Sequence, residues 1–136
     1  MFWFRVSLFF FDYIEENLKK YSVSHSLSLL FYIKKSKADE YGKAVIYLRI
    51  TLNGRRAECS VHRKVKVDDW HSKTQRALGN SQNSQEINRE ISIITDKIYG
   101  IQHQFQREGK SYTALNLRDS YLGKDKSQKM LLGIFQ

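Results

Sequence analysis

The dipeptide Asn53-Gly54 is flanked on both sides by runs that alternate apolar and polar residues, and nothing else in the chain constrains its fold as strongly. Both central positions of a type I′ turn need positive φ, which Asn and Gly tolerate best, so a tight hairpin is predicted there. Ahead of it, Lys43–Leu52 places Ile46, Leu48, Ile50 and Leu52 on one face and Val45, Tyr47, Arg49 and Thr51 on the other. Behind it, Arg55–Val61 sets Ala57, Cys59 and Val61 against Arg56, Glu58, Ser60 and His62. An earlier strand, about Ser26–Lys34, repeats the rhythm with Leu27, Leu29, Phe31 and Ile33, and a polar, charged connection runs from Lys35 to Gly42. The expectation is a three-stranded antiparallel meander with one apolar face and one polar face.

A bare apolar sheet face needs a cover. Val65, Val67 and Trp70 form a small apolar cluster beside Asp68-Asp69, and a polar loop is expected over Lys73–Asn83. The clearest helical signal follows, with Ile87, Ile91, Ile94, Ile98, Ile101 and Phe105 spaced 4, 3, 4, 3, 4 over about Ser84–Glu108. Ser84 is the expected N-cap and Gly109 the glycine just past the end. A second, shorter helix capped by Thr113 is expected to bury Leu115 and Leu117 and to end at Gly123. The fold class is therefore α+β: a three-stranded antiparallel sheet packed on a long α-helix, followed by a short helix. The same stripe, Ile87–Phe105, also fits a heptad seam, which keeps a dimerisation or protein-interaction domain as the alternative.

The charge is not spread evenly. Of a formal net charge of +9 in 136 residues, residues 26–79 carry twelve Lys or Arg against five Asp or Glu, whereas residues 1–25 and 80–123 each balance to zero. An anionic partner is expected to dock on that segment. Its polar sheet face offers Tyr47, Arg49 and Thr51 beside Arg56, Glu58 and Ser60, with Arg55 and Lys64 at its margins. Arginine can grip guanine or phosphate with two parallel hydrogen bonds, and Tyr and Ser supply neutral ones. Glu58 can accept from cytosine or orient an arginine, and a two- or three-stranded ribbon fits the DNA major groove. The plainer reading is a solvated face with cross-strand ion pairs such as Arg49–Glu58. Single-strand or RNA binding would need exposed aromatics for stacking, for which only Tyr47 and Tyr32 are candidates.

Other chemistry finds little footing. No glycine-rich phosphate-binding motif occurs, and Cys59 with His62 and His71 is a poor zinc set, with Cys59 and His62 on opposite faces of a strand. Cys59, the only cysteine, excludes an internal disulfide and reads as a small buried apolar residue. Asp68-Asp69 reads as a turn, and no nucleophile elbow supports a Ser/His/Asp set. No catalytic residue, metal or cofactor is expected.

One run now carries a resemblance. Val45-Ile46-Tyr47-Leu48-Arg49-Ile50-Thr51-Leu52-Asn53-Gly54-Arg55-Arg56-Ala57-Glu58-Cys59-Ser60, continued by Lys64-Val65-Lys66-Val67-Asp68-Asp69-Trp70, resembles the N-terminal arm DNA-binding domain of tyrosine recombinases, the phage and conjugative-transposon integrases. Glu86-Ile87-Asn88 opening a long helix, then Arg107-Glu108-Gly109-Lys110 and the helix from Thr113, extend the likeness over about Ser26–Gly123. The resemblance implies a sheet that enters the major groove of arm-type sites, double-stranded DNA and integrase protomers as partners, no membrane, and a cytoplasmic, nucleoid-associated location in bacteria. Residues 26–123 are the expected arm domain, and 124–136, ending Met130-Leu131-Leu132-Gly133-Ile134-Phe135-Gln136, look like a shortened start of the family's core-binding region. Residues 1–25 depart from the family. Met1–Phe11 is aromatic but too short to span a bilayer and lacks signal-peptide features, so this segment is expected to be an extension outside the domain, with a membrane-surface or partner-binding helix as its alternative.

The family's catalytic domain and tyrosine nucleophile have no counterpart after residue 123, so DNA binding without cutting is expected. Incubating the chain with duplex DNA should yield no covalent protein–DNA adduct; an adduct through any of its tyrosines would refute the expectation.

Overall fold

A computed structural model describes residues 26–124. Three strands form the main sheet: β1 (Leu27–Ile33), β2 (Lys43–Leu52) and β3 (Arg55–Lys66), antiparallel, in the order β1-β2-β3. Asn53 (φ 52°) and Gly54 (φ 79°) both adopt positive φ, as the hairpin requires. Register sets Phe31 opposite Leu48 and Leu48 opposite Cys59, so the apolar sets of all three strands share one face. On β2 every second residue from Ala44 to Leu52 is buried.

The third strand is longer than the sequence suggested, and it bulges. Val45 pairs with Lys64 but Tyr47 with Ser60, so Ile46 alone faces Val61–Arg63, and His62 takes a left-handed φ of 61°. Strand character continues past the bulge because Val65 returns to the core, only 2% exposed.

The long helix α1 spans Gln82–Arg107 and lies across the apolar face. Ile87, Ile91, Ile94 and Ile98 are buried in one core with Ile46, Leu48, Ile50 and Leu117. The stripe is thus consumed within the chain. Its last turn deviates: Gln102 is the buried residue, while Ile101 and Phe105 pack at the margin. No group among the described residues hydrogen-bonds the enclosed Gln102 Nε2, a deficit worth about 1–3 kcal/mol.

Helix ends also differ from the sequence reading. Ser81, not Ser84, is the N-cap; its Oγ accepts from the Ser84 N–H at 3.1 Å, and Ser84 instead donates its hydroxyl to the Leu78 carbonyl at 2.9 Å. Two serines at this spacing compete for the cap, and the one with extended backbone wins. Gly109 (φ 65°) ends the helix as expected, with Lys110 N–H donating to the Phe105 carbonyl. The second helix α2 (Ala114–Tyr121) has a reciprocal capping box between Thr113 and Asn116. It buries Ala114 and Leu117, whereas Leu115, expected inside, is 50% exposed because an eight-residue helix has room for only one inward stripe.

The expected polar loop contains structure of its own. Asp68-Asp69 sits in a 3-10 turn, and then β4 (Trp70–His71) pairs with β5 (Arg76–Ala77). Asn88 of α1 substitutes for a missing strand: its Oδ1 accepts from Ala77 N–H at 2.8 Å and its Nδ2 donates to Ala77 O at 3.0 Å. Gln75 Oε1 accepts from Phe31 N–H at 2.9 Å, closing part of the β1 edge. The Lys35–Gly42 connection holds a 3-10 turn at Lys35–Lys37 and is tied down by Asp39, whose carboxylate accepts from the Tyr41 and Lys43 N–H groups. The expectations for residues 1–25 and 125–136 lie outside the described residues.

Because Ile94 and Ile98 sit mid-stripe and are essentially inaccessible, Ile94→Ala and Ile98→Ala should each cost ~2–5 kcal/mol in denaturant unfolding of the monomer. Neutral monomer stability combined with lost self-association would instead make the stripe a dimer seam.

Candidate nucleic-acid interface

Alternation that buries one face of the sheet necessarily presents the other. Reading across the outer face, register aligns Ser28–Thr51–Arg56, then Leu30–Arg49–Glu58, then Tyr32–Tyr47–Ser60. Beyond the bulge lie the pairs Val45–Lys64 and Lys43–Lys66. Of the residues singled out by sequence, Tyr47, Arg49, Thr51, Arg56, Glu58, Ser60 and Lys64 therefore share this face. Arg55 does not. One residue off that alternation, it lies at the hairpin tip, where it lines a cleft together with Arg56, Thr113, Ala114 and Leu115.

The centre of the face is an ordered row of contacts. Arg49 Nε donates to Glu58 Oε1 at 2.7 Å, and the Arg49 guanidinium lies 4.9 Å from the centre of the Tyr32 ring. Tyr32 stacks on its cross-strand partner Tyr47 with ring centres 5.8 Å apart and planes inclined by 28°. Lys34 Nζ sits 4.4 Å over the Tyr47 ring. Lys34 and Arg49 stand at opposite ends of this row, Lys34 over Tyr47 and Arg49 over Tyr32. The ring faces are thus occupied by one another and by two cations, which leaves little stacking surface for an unpaired base. The cross-strand ion pair anticipated from sequence is present, but it is one link in a longer arrangement.

Sequence reasoning missed Lys34, Lys43 and Lys66 and gave Tyr32 only a minor place. The register of β1 on β2 supplies Tyr32 and Lys34, and the bulged register of β2 on β3 sets Lys43 opposite Lys66; no local motif encodes either. Lys43 and Lys66 are direct cross-strand partners of like charge, an arrangement that costs stability unless an anion lies nearby. Lys64 is partly neutralised by Asp39 at 3.3 Å. Arg63, on the helix side of β3, pairs with Glu90 at 2.8 Å and Glu86 at 3.7 Å and so braces α1.

Titration behaviour follows this geometry. The Arg49 hydrogen bond holds the Glu58 carboxyl below the usual glutamate range, against a smaller opposing effect of burial. Burial, assisted by the Glu58 carboxylate, raises the Tyr32 hydroxyl. Asp39 is lowered chiefly by the Lys43 N–H. Cys59 is half-buried and unpaired, its thiol pushed up by burial, and His62 is exposed at the bulge. Among the described residues no cluster of His, Cys, Asp or Glu could hold a metal ion, and no helix is long and apolar enough to cross a membrane.

A depressed carboxyl contributes stability above its unfolded-state pKa and loses it as pH falls through the lowered folded value. The Glu58 side-chain carboxyl, followed by carbon-detected NMR, should titrate below the ordinary glutamate range and return to it in Arg49→Ala. An ordinary midpoint in the parent would mean that the ion pair does not form in solution.

No curated protein and no solved structure shows a match to the chain. A family model for the arm DNA-binding domain matches residues 31–118, from Phe31 on β1 to Arg118 on α2. That span holds the last three residues of β1, both longer strands, α1 and the first turn of α2, and so the outer face from Tyr32 to Lys66. With nearly two thirds of its length matched, the chain belongs to the family of arm DNA-binding domains, non-catalytic modules that bind DNA.

Proposed function

We propose that residues 26–123 bind double-stranded DNA by laying the outer face of the three-stranded sheet into the major groove, as the arm-site-binding module of a site-specific tyrosine recombinase. The observation that carries this is the Arg49 fork. Glu58 holds Nε, so the two terminal amino groups form the part of the guanidinium that can meet two acceptors on a base edge. Dimensions agree: three strands about 4.8 Å apart make a ribbon of roughly 10 Å between outer strand axes, which suits a groove of about 12 Å. Around the fork stand exposed cations on the same face, Arg56, Lys64 and Lys66, together with Lys43 at the start of β2. These suit phosphates, which flank the groove and supply most of the sequence-independent affinity.

Two rival readings lose support on particular observations. Dimerisation through Ile87–Phe105 would need a stripe that already lies in the chain's own core. Single-strand binding would need ring faces that Lys34 and Arg49 cover. Integrase protomers as further partners, and a cytoplasmic, nucleoid-associated location, belong to the same proposal.

The test separates base reading from charge. A duplex selected from a randomised library and a scrambled duplex are titrated over a salt series. Arg49→Ala should cost ~1–3 kcal/mol on the selected duplex and flatten discrimination between the two. Lys37→Ala, in the exposed 3-10 turn, should weaken both duplexes alike and reduce the salt slope by about one unit or less. Equal, sequence-independent losses for both variants would make the domain a generic polyanion binder. Failure of the parent to bind any duplex at low salt would reject DNA binding.

A further inference from the structure

Arg49 is held from two sides, and only one of its holders carries charge. An arginine on an exposed strand samples many rotamers, and fixing it costs about 1–2 kcal/mol of side-chain entropy. Here that freedom is already reduced in the free protein. Glu58 takes Nε at 2.7 Å, and the Tyr32 ring supports the guanidinium plane at 4.9 Å. Tyr32 is itself fixed, stacked on Tyr47 at 5.8 Å, and Tyr47 lies under Lys34. The Arg49 side chain retains 29% of its surface exposed, so the clamp leaves it accessible.

This arrangement distinguishes a base reader from a phosphate contact. A phosphate can be approached from many directions and tolerates a mobile cation, whereas two parallel hydrogen bonds to guanine O6 and N7 need a fixed plane. We infer that Tyr32 and Glu58 form a clamp that orients Arg49 toward a guanine, making Tyr32 a positioning residue whose ring sets sequence preference without contacting DNA. The inference rests on the major-groove reading of the outer face and goes beyond it by assigning the base and the residue that enforces the choice.

The clamp predicts different behaviour for two changes at one position. Tyr32→Phe keeps the ring and should preserve recognition. Tyr32→Leu removes the support under the guanidinium while leaving the charge count of the face unchanged.

The experiment uses the full chain and the duplex it selects from a randomised library, with each guanine replaced in turn by 7-deazaguanine, which lacks the N7 acceptor. In the parent and in Tyr32→Phe, one replacement should lower affinity by about fivefold or more. In Tyr32→Leu that loss should shrink toward nothing, while affinity for a scrambled duplex and the salt slope stay within about twofold of the parent, since no phosphate contact is removed. Undiminished sensitivity to the replacement in Tyr32→Leu would overturn the clamp. So would an equal loss on selected and scrambled duplexes, which marks a merely structural role.

A second measurement needs no DNA. Hydrogen exchange of the Arg49 Nε–H should be slowed in the parent and quickened in both Tyr32→Leu and Glu58→Gln. Exchange in the parent as fast as for a solvated arginine would also overturn the clamp, whether or not the leucine variant folds. A protected Nε–H in a parent that selects no duplex would mark a different failure, that of the major-groove reading itself.

Discussion

Everything on the outer face of this sheet depends on the parity of β2. Ile46, Leu48, Ile50 and Leu52 are each no more than 3% exposed, and removing such side chains from water stabilises the fold by roughly 1.5–3 kcal/mol apiece. A shift of one residue would drive that set to the surface and pull Tyr47, Arg49 and Thr51 into the core, so the penalty for the wrong register is several times larger than any gain on the outer face. The outer-face residues therefore have their direction chosen for them by their apolar neighbours. Arg49 points outward because Leu48 and Ile50 must point inward.

The bulge in β3 respects the same constraint. Three residues, Val61–Arg63, lie opposite the single residue Ile46, so the strand gains two residues and its in–out alternation is preserved. Val61 and Val65 both reach the core, and Lys64 and Lys66 both remain on the outer face. An insertion of one residue would have buried one of those lysines or exposed Val65. His62 accepts the left-handed backbone that makes this possible, and Arg63 turns to the helix side, where Glu86 and Glu90 receive it.

What was legible in the sequence was what repeats or what turns. Period-two runs, the Asn53-Gly54 turn and the Ile87–Ile98 stripe each bring many residues to one conclusion, and sheet, hairpin and helix stand where they indicated. The β4–β5 hairpin had no such redundancy. Two paired residues make no period, and Ala77 is held by an Asn88 side chain that looks like an ordinary polar helix residue. Ser81 and Ser84 are equally good caps by composition, so only backbone geometry separates them. At the candidate interface, Arg49 and Glu58 could be matched across a hairpin by counting outward from its turn. Tyr32 lies on a strand joined by a nine-residue connection, 34–42, whose path does not follow from its composition. The row Lys34–Tyr47–Tyr32–Arg49 became visible only with the β1–β2 register.

That row also bears on why a basic face keeps a carboxylate at its centre. Each uncompensated cation near a phosphate raises affinity for every duplex alike, and Glu58 works against that gain by neutralising Arg49. An unsupported Arg49 would bind more indiscriminately, because its fork could follow any nearby phosphate. In the proposed mode of binding, the face would divide the two tasks between its ends and its centre. Lys43 and Lys66 oppose each other across the strands at one end, where a phosphate bound between them would relieve their mutual repulsion. At the centre, Glu58 offsets part of the Arg49 charge, and the Tyr32 ring supports the guanidinium beside it. In that mode of binding, affinity taken from the flanks and direction imposed at the middle would let a domain with an excess of seven positive charges in one segment still prefer one sequence over another.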